Sequence, residues 1–247
     1  MDSDPLPTLT PPVPGWTPTQ RRWSTTQLDL DSDLDGSMAN ATQRFFEAPS
    51  GLLLIRGDPT FVSVVGGPAV GKSSTIGPFM RQQCPGIFWH RVDKDHLLRW
   101  FSTYRRWNHG DDDRRYRPLT KRFARCILKE GLRRRASMAY VGTGSDVDFT
   151  LEWLNRASKV GYRTIILDVR CSDQVEWMRR LRSRRAQGLH PAALLRCADN
   201  RRIAARVQRH RTIYHRWARA TARASVHVVD TSTRGINKTL HASSGTN

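Results

Sequence analysis

Apolar and polar positions along this chain fall into blocks that predict strands and helices in alternation. The strand-like blocks are Phe61 to Val65, Ile87 to Val92, Met138 to Val141, Thr164 to Val169 and Val226 to Val229. Each is short and bounded by turn-forming or polar residues. Helical periodicity follows each of the first four. A helix is predicted from Gly71 or Lys72 to about Gln83, with a kink or early break at Gly77-Pro78, because an interior proline loses a backbone bond at a cost of about 3 kcal/mol. Further helices are predicted over His96 to Phe101, Pro118 to Arg135, Asp148 to Val160 and Asp173 to Gln187, and a long one over Ala192 to Ala224 after the break Gly188-Leu189-His190-Pro191. In the third of these elements Phe123, Ile127, Leu128 and Leu132 share one face, and a Ser172-Asp173 cap opens the helix at 173. Such alternation predicts an α/β fold: a mostly parallel five-stranded sheet with helices on both faces, a three-layer sandwich.

The flanks read differently. Residues 1–36 are rich in threonine, proline and aspartate, without a periodic apolar face, and are expected to be disordered. A helix is expected from Ser37 to Phe46, stopped by Pro49. The folded domain is placed at 37–232 and a flexible tail at 233–247. Ser102 to Arg117, rich in arginine, tryptophan and tyrosine, is expected as a surface loop.

Charge adds a second pattern. The chain of 247 residues has a formal net charge of +19. From Met178 to Arg223 there are fourteen arginines and one carboxylate, Asp199. That density suits a polyanion, nucleic acid or an acidic protein, on the 178–223 face; a solvated helical face is the plainer explanation. No run approaches the 18 apolar residues of a membrane span, so no membrane is expected and a cytoplasmic location is the default. Cys84, Cys126, Cys171 and Cys197 are too scattered to suggest a disulfide framework or a zinc site.

The chemistry concentrates where the first strand ends. Gly66-Gly67-Pro68-Ala69-Val70-Gly71-Lys72-Ser73, followed by Ser74, is a G-x-x-x-x-G-K-S phosphate loop between a strand and a helix. Glycines let N–H groups approach phosphate oxygens closely, and the helix directs its positive end at the same charge. Lys72 would meet the β- and γ-phosphates and the Ser73 hydroxyl would ligate Mg²⁺. In open sheets of this kind ligands gather at the carboxyl ends of the strands. Asp93 and Asp95 stand at a second strand end and Gly142-Thr143-Gly144-Ser145-Asp146 at a third. Asp168, ending Ile165-Ile166-Leu167, looks like a metal-binding strand aspartate, and Asp95 has the alternative role of a helix cap.

In this order and spacing the chain resembles the zeta toxin family of P-loop kinases, over about Phe61 to Val229. The phosphate loop matches that family's loop, Val92-Asp93-Lys94-Asp95-His96-Leu97 its aspartate element, Val141-Gly142-Thr143-Gly144 its G-T turn, and Ala157-Ser158-Lys159-Val160-Gly161-Tyr162 its helix-ending segment. The resemblance implies ATP or GTP with Mg²⁺ as cofactors. It implies transfer of the γ-phosphoryl to a hydroxyl of a small acceptor such as UDP-N-acetylglucosamine. Asp95 would be the general base, Asp93 and Thr143 would assist the acceptor, and arginines among Arg182, Arg184, Arg185 and Arg196 would clamp phosphates. Val141 stands where the family has a glutamate that helps bind the sugar nucleotide, which puts the acceptor in question. Two alternatives stay open: a polynucleotide 5′-hydroxyl kinase, and a catalytically impaired NTP-dependent nucleic-acid-binding or regulatory protein.

Overall fold

The computed structural model describes residues 34–47, 58–85, 87–101, 112–186, 197–232 and 238–244. The chain divides into two compact units, one formed by residues 1–57 and 79–138, the other by 58–78 and 139–247.

In the first unit, α1 (Leu34–Phe45) packs on α4 (Asp112–Arg133). Met38, Ala41 and Phe45, three and four apart, form the buried stripe of α1, and Phe123, Ala124, Ile127 and Leu128 that of α4. Each fully buried large side chain contributes about 1.5–3 kcal/mol. Gly131 lets Met138 pack closely: a Cβ there would lie 2.1 Å from its sulfur. Trp100 stacks edge-on against Phe123 at 5.4 Å, and His90 sits against Phe46 at 4.7 Å and Phe88 at 4.8 Å. Burial among these rings, with Arg134 adding repulsion, pushes His90 down to about 4. Strand β2 (Trp89–Asp93) leads into the short helix α3 (Lys94–Leu97) and a 3₁₀ turn at Leu98–Trp100.

In the second unit the strand order is β3-β1-β4-β5-β6, with β1 at Thr60–Val65, β3 at Ser137–Val141, β4 at Arg163–Arg170, β5 at Ala224–Asp230 and β6 at Lys238–Ser244. β1 and β4 run parallel, Thr60 opposite Arg163 through Val65 opposite Asp168, and β4 and β5 likewise from Thr164 opposite Ala224. Every residue of β1 is buried, the signature of a strand covered on both sides. Helix α5 (Val147–Lys159) packs on β1 and β4, and α7 (Cys197–Arg219) on β4 and β5. Helix α6 (Gln174–Ala186) precedes α7. The fold is the expected mostly parallel α/β class.

Several expectations are corrected. The described strands number six, because β6 pairs antiparallel with β5, with an irregularity at Val228/Val229. It occupies seven residues of the predicted tail 233–247. Sequence reading missed it because Lys238-Thr239-Leu240-His241-Ala242-Ser243-Ser244 has a single large apolar residue; an edge strand is held by backbone pairing. Helix α2 (Lys72–Gln83) carries Pro78 inside and does not break. The residue before it is Gly77, which has no side chain to crowd the proline ring. Likewise α4 contains Pro118 and starts at Asp112, so the predicted loop 102–117 is helical from that point; residues 102–111 lie outside the described residues. Helix α1 spans Leu34–Phe45, and α7 ends at Arg219, short of the predicted Ala224; residues 192–196 lie outside the described residues. The remainder of the predicted disordered segment, 1–33, and the break at 188–191 are also outside the described residues.

Candidate phosphate-binding site

The loop between β1 and α2 has the backbone of a phosphate cradle. Gly66 lies so close to β4 that a Cβ would stand 2.5 Å from the carbonyl oxygen of Val169. Gly71 has φ +90°, a left-handed conformation glycine adopts freely. Ala69 has φ +58°, at a cost of roughly 1 kcal/mol for a residue with a Cβ. Lys72 Nζ folds over the loop, donating to the carbonyls of Gly66 at 2.9 Å and Gly67 at 2.7 Å. Thr75 N–H donates to Gly71 O, as do the hydroxyls of Ser74 and Thr75, so the first turn of α2 is locked to the loop. That turn carries no acid, and Ser73 is exposed on it. A cradle of close backbone, a lysine amine over it and an exposed serine hydroxyl at a helix start fit a nucleotide's phosphates and a Mg²⁺ ion.

Neighbouring elements brace the cradle through residues the sequence reading did not single out. Trp177 of α6 donates its indole N–H to Pro68 O at 2.7 Å. The buried Thr231, just past β5, donates its hydroxyl to Val70 O at 2.7 Å, with Arg170 O at 3.0 Å sharing that proton. Arg180 in turn donates to the Thr231 hydroxyl and carbonyl while paired with Glu176. The signal in the sequence was slight: a threonine after a strand and a tryptophan in an arginine-rich helix.

Behind the loop lies a buried ionic cluster. Asp168, 1% exposed, is bridged by Arg170 at 2.7 Å and Arg211 of α7 at 3.0 Å, with His215 Nε2 at 3.8 Å. Burial lowers the pKa of both Arg211 and His215, Asp168 opposing the shift in each. With both oxygens held by guanidiniums, Asp168 is an anchor for arginines, and the metal role suggested by its strand position does not fit.

The G-T turn also lies against the loop: Gly66 N–H donates to Thr143 O at 3.1 Å. The Thr143 hydroxyl is 2.7 Å from that of Ser145. Gly144, at φ +72°, offers its carbonyl to Tyr214 OH at 2.7 Å and His210 Nδ1 at 3.2 Å, both from α7. Burial pushes the Tyr214 phenol up to about 12, which keeps it a neutral donor. Asp146 caps α5 by accepting from Phe149 N–H. Val141 is buried at the end of β3.

The structure thus joins Gly66, Gly67, Pro68, Ala69, Val70, Gly71, Lys72, Ser73, Ser74 and Thr143 in the second unit. Arg182 is exposed on α6; Arg184 is on the same helix with its side chain outside the described residues, and Arg196 lies outside them altogether. Asp93 and Asp95 belong to the first unit. There Asp93 caps α3, accepting from Asp95 N–H at 3.1 Å, and pairs with Arg91 at 2.6 Å, both side chains buried. The cap is therefore Asp93, and Asp95 is exposed on the first turn of the helix.

Sheet order, cradle and bracing define a P-loop kinase-like fold. Among solved structures, the chain is similar to one from the PezAT chromosomal toxin–antitoxin system of Streptococcus pneumoniae, with a TM-score of 0.63 at 12% identity over 84% of this chain and 81% of that one. It is similar also to a chain of the AvrRxo1-ORF1:AvrRxo1-ORF2 complex, with a TM-score of 0.55 at 13% identity over 91% of this chain and 65% of the other. No family model matches the sequence, and no curated protein matches it. The likeness is one of fold.

Proposed function

We propose that this chain is a zeta-toxin-like kinase that binds ATP or GTP with Mg²⁺ and transfers the γ-phosphoryl to a hydroxyl of a small acceptor such as a nucleotide sugar. The observation that carries the reading is the Lys72 ammonium held over a loop whose Gly66 and Gly71 leave the backbone open to phosphate. Bound nucleotide and metal would supply the phosphoryl group and its charge neutralisation. Loop N–H groups and Lys72 would orient the phosphates, Ser73 would hold the metal, and Asp95 is assigned as the base that takes the acceptor's proton. Arg182, Arg184 and Arg196 are assigned to the phosphates, and Asp93 and Thr143 to the acceptor side. The PezAT chain belongs to a toxin–antitoxin system, which supports a protein partner that blocks this site. Among the described residues no helix is long and apolar enough to cross a membrane.

The test uses γ-labelled ATP offered with UDP-N-acetylglucosamine, with a 5′-hydroxyl oligonucleotide, or with neither. Label on the sugar nucleotide is expected. Lys72→Ala should lower turnover by about 10²–10³-fold through lost phosphate charge stabilisation. Asp95→Asn should lower it by about 10²–10⁴-fold with ATP affinity kept. Label on the oligonucleotide would make the chain a polynucleotide kinase, and no ATP binding by the wild type would end the kinase reading.

A further inference from the structure

Helix α7 carries Arg201, Arg202, Arg206, Arg209, Arg216 and Arg219, all exposed, and no carboxylate follows Asp199 within it. At about 100° per residue these six fall within a stripe about 140° wide and, at 1.5 Å per residue, about 27 Å long. Elsewhere in the second unit several arginines have acids: Arg156 pairs with Glu152, Arg179 and Arg180 with Glu176, Arg170 and Arg211 with Asp168, Arg223 with Asp58. Among the described residues no carboxylate lies within ion-pair distance of any of the six. A continuous row of six such guanidiniums on one helix face is a site of concentrated positive charge open to a polyanion.

We propose that the outer face of α7 binds the phosphodiester backbone of nucleic acid, independently of base sequence. All six groups are guanidiniums, whose planar fork matches phosphate oxygens in bidentate geometry better than a lysine point charge would. The stripe's length spans about eight phosphates of one strand at 3.4 Å spacing. An acidic protein partner would need an apolar centre to the contact, and the stripe offers only Ile213, 41% exposed, as a large hydrophobic group. The stripe has no exposed aromatic platform to stack bases, so affinity rests on phosphates and falls steeply with salt. This surface goes beyond phosphoryl transfer and stands whether or not that reading holds.

Fluorescence anisotropy of the full chain with a labelled single-stranded RNA about 20 nucleotides long, titrated between about 50 and 200 mM salt, tests it. Six phosphate contacts predict a slope of log K against log salt near −4, or roughly a 250-fold loss across that range. The triple variant R202Q/R206Q/R209Q should reduce the slope by about 2 in magnitude, while R202K/R206K/R209K keeps most of it. ATP affinity and melting temperature should be unchanged in both. A DNA strand of the same length should bind within a few-fold of the RNA. The proposal is overturned by absent binding at the lowest salt, by an unchanged slope in the glutamine variant, or by polyglutamate binding more tightly than RNA. The last result would assign the face to an acidic protein.

Discussion

Helix α7 uses one residue type in opposite ways on its two faces. Against the sheet, Arg211 is half-buried and bonded to Asp168, the carboxylate that Arg170 and His215 also face. On the outer face six arginines stand in solvent with no acid within ion-pair distance among the described residues. The inner guanidinium has left water, and that desolvation is offset only while a carboxylate faces it. The outer ones keep their hydration and add nothing to the fold. The outer face of α7 thus concentrates six positive charges of a chain whose formal net charge is +19.

The largest expected effect follows from breaking the inner cluster. Asp168→Ala would leave Arg211 and Arg170 facing each other without their shared carboxylate and should cost about 3–5 kcal/mol, read as a lower midpoint in urea unfolding. Arg202→Ala on the outer face should stay within about 0.5 kcal/mol of wild type. Equal losses at the two sites would erase the distinction between the faces. A D168L/R211L double variant, which removes both charges of the more buried pair, should recover part of the loss.

A smaller effect is expected where arginine acts on the phosphate loop through another residue. The Thr231 hydroxyl joins Val70 O to Arg180, so Thr231→Val removes one buried donor and leaves an Arg180 N–H without that acceptor. A loss of about 1–3 kcal/mol is expected, with nucleotide affinity reduced because Val70 lies within the loop. Thr231→Ser should restore both. If calorimetric titration with ATP gave the same Kd for Thr231→Val as for wild type, the bracing would be irrelevant to the cradle.

The parts of this arrangement that were legible in the sequence are those written in local spacing. The loop Gly66 to Ser73, the strand Thr164 to Val169, the Asp173 cap and the Gly161 stop each rest on backbone rules that act within a few residues, and each is found. What stayed hidden depends on long-range partners. Nothing near Asp168 in the chain announces Arg211, forty-three residues on, so its hydrophobic run read as a metal-binding strand. Thr231 reaches Val70 across 161 residues and Trp177 reaches Pro68 across 109. Strand β6 was hidden for another reason: an edge held by backbone pairing leaves little trace in side-chain pattern. Asp93 and Asp95 show the limit of spacing even at short range. Either could cap the helix after them, and the Arg91 pairing that holds Asp93 in place depends on which side of β2 each side chain takes.

The smallest expected effect separates the two faces by pH. His215 on the inner face has its pKa lowered chiefly by burial, opposed by Asp168 and reinforced by the cations of Arg170 and Arg219. Its Nε2 is buried without a hydrogen-bond partner among the described residues. The unfolded chain binds a proton at an ordinary histidine pKa near 6.5, above that of the folded chain. The neutral imidazole's contribution is therefore complete above about pH 6.5 and is lost as pH falls through the lower folded value. His90, pushed down to about 4 in its aromatic pocket, and His227, lowered by burial, act in the same direction. The informative quantity is thus a difference between proteins. Unfolding free energy measured from about pH 7.5 to about pH 4 should fall less steeply in His215→Leu than in wild type. Arg202→Ala changes no group of the inner cluster and should track the wild-type curve throughout. Parallel curves for wild type and His215→Leu would mean that the proton enters the inner cluster without cost, and that the cluster is open to water as the outer face is.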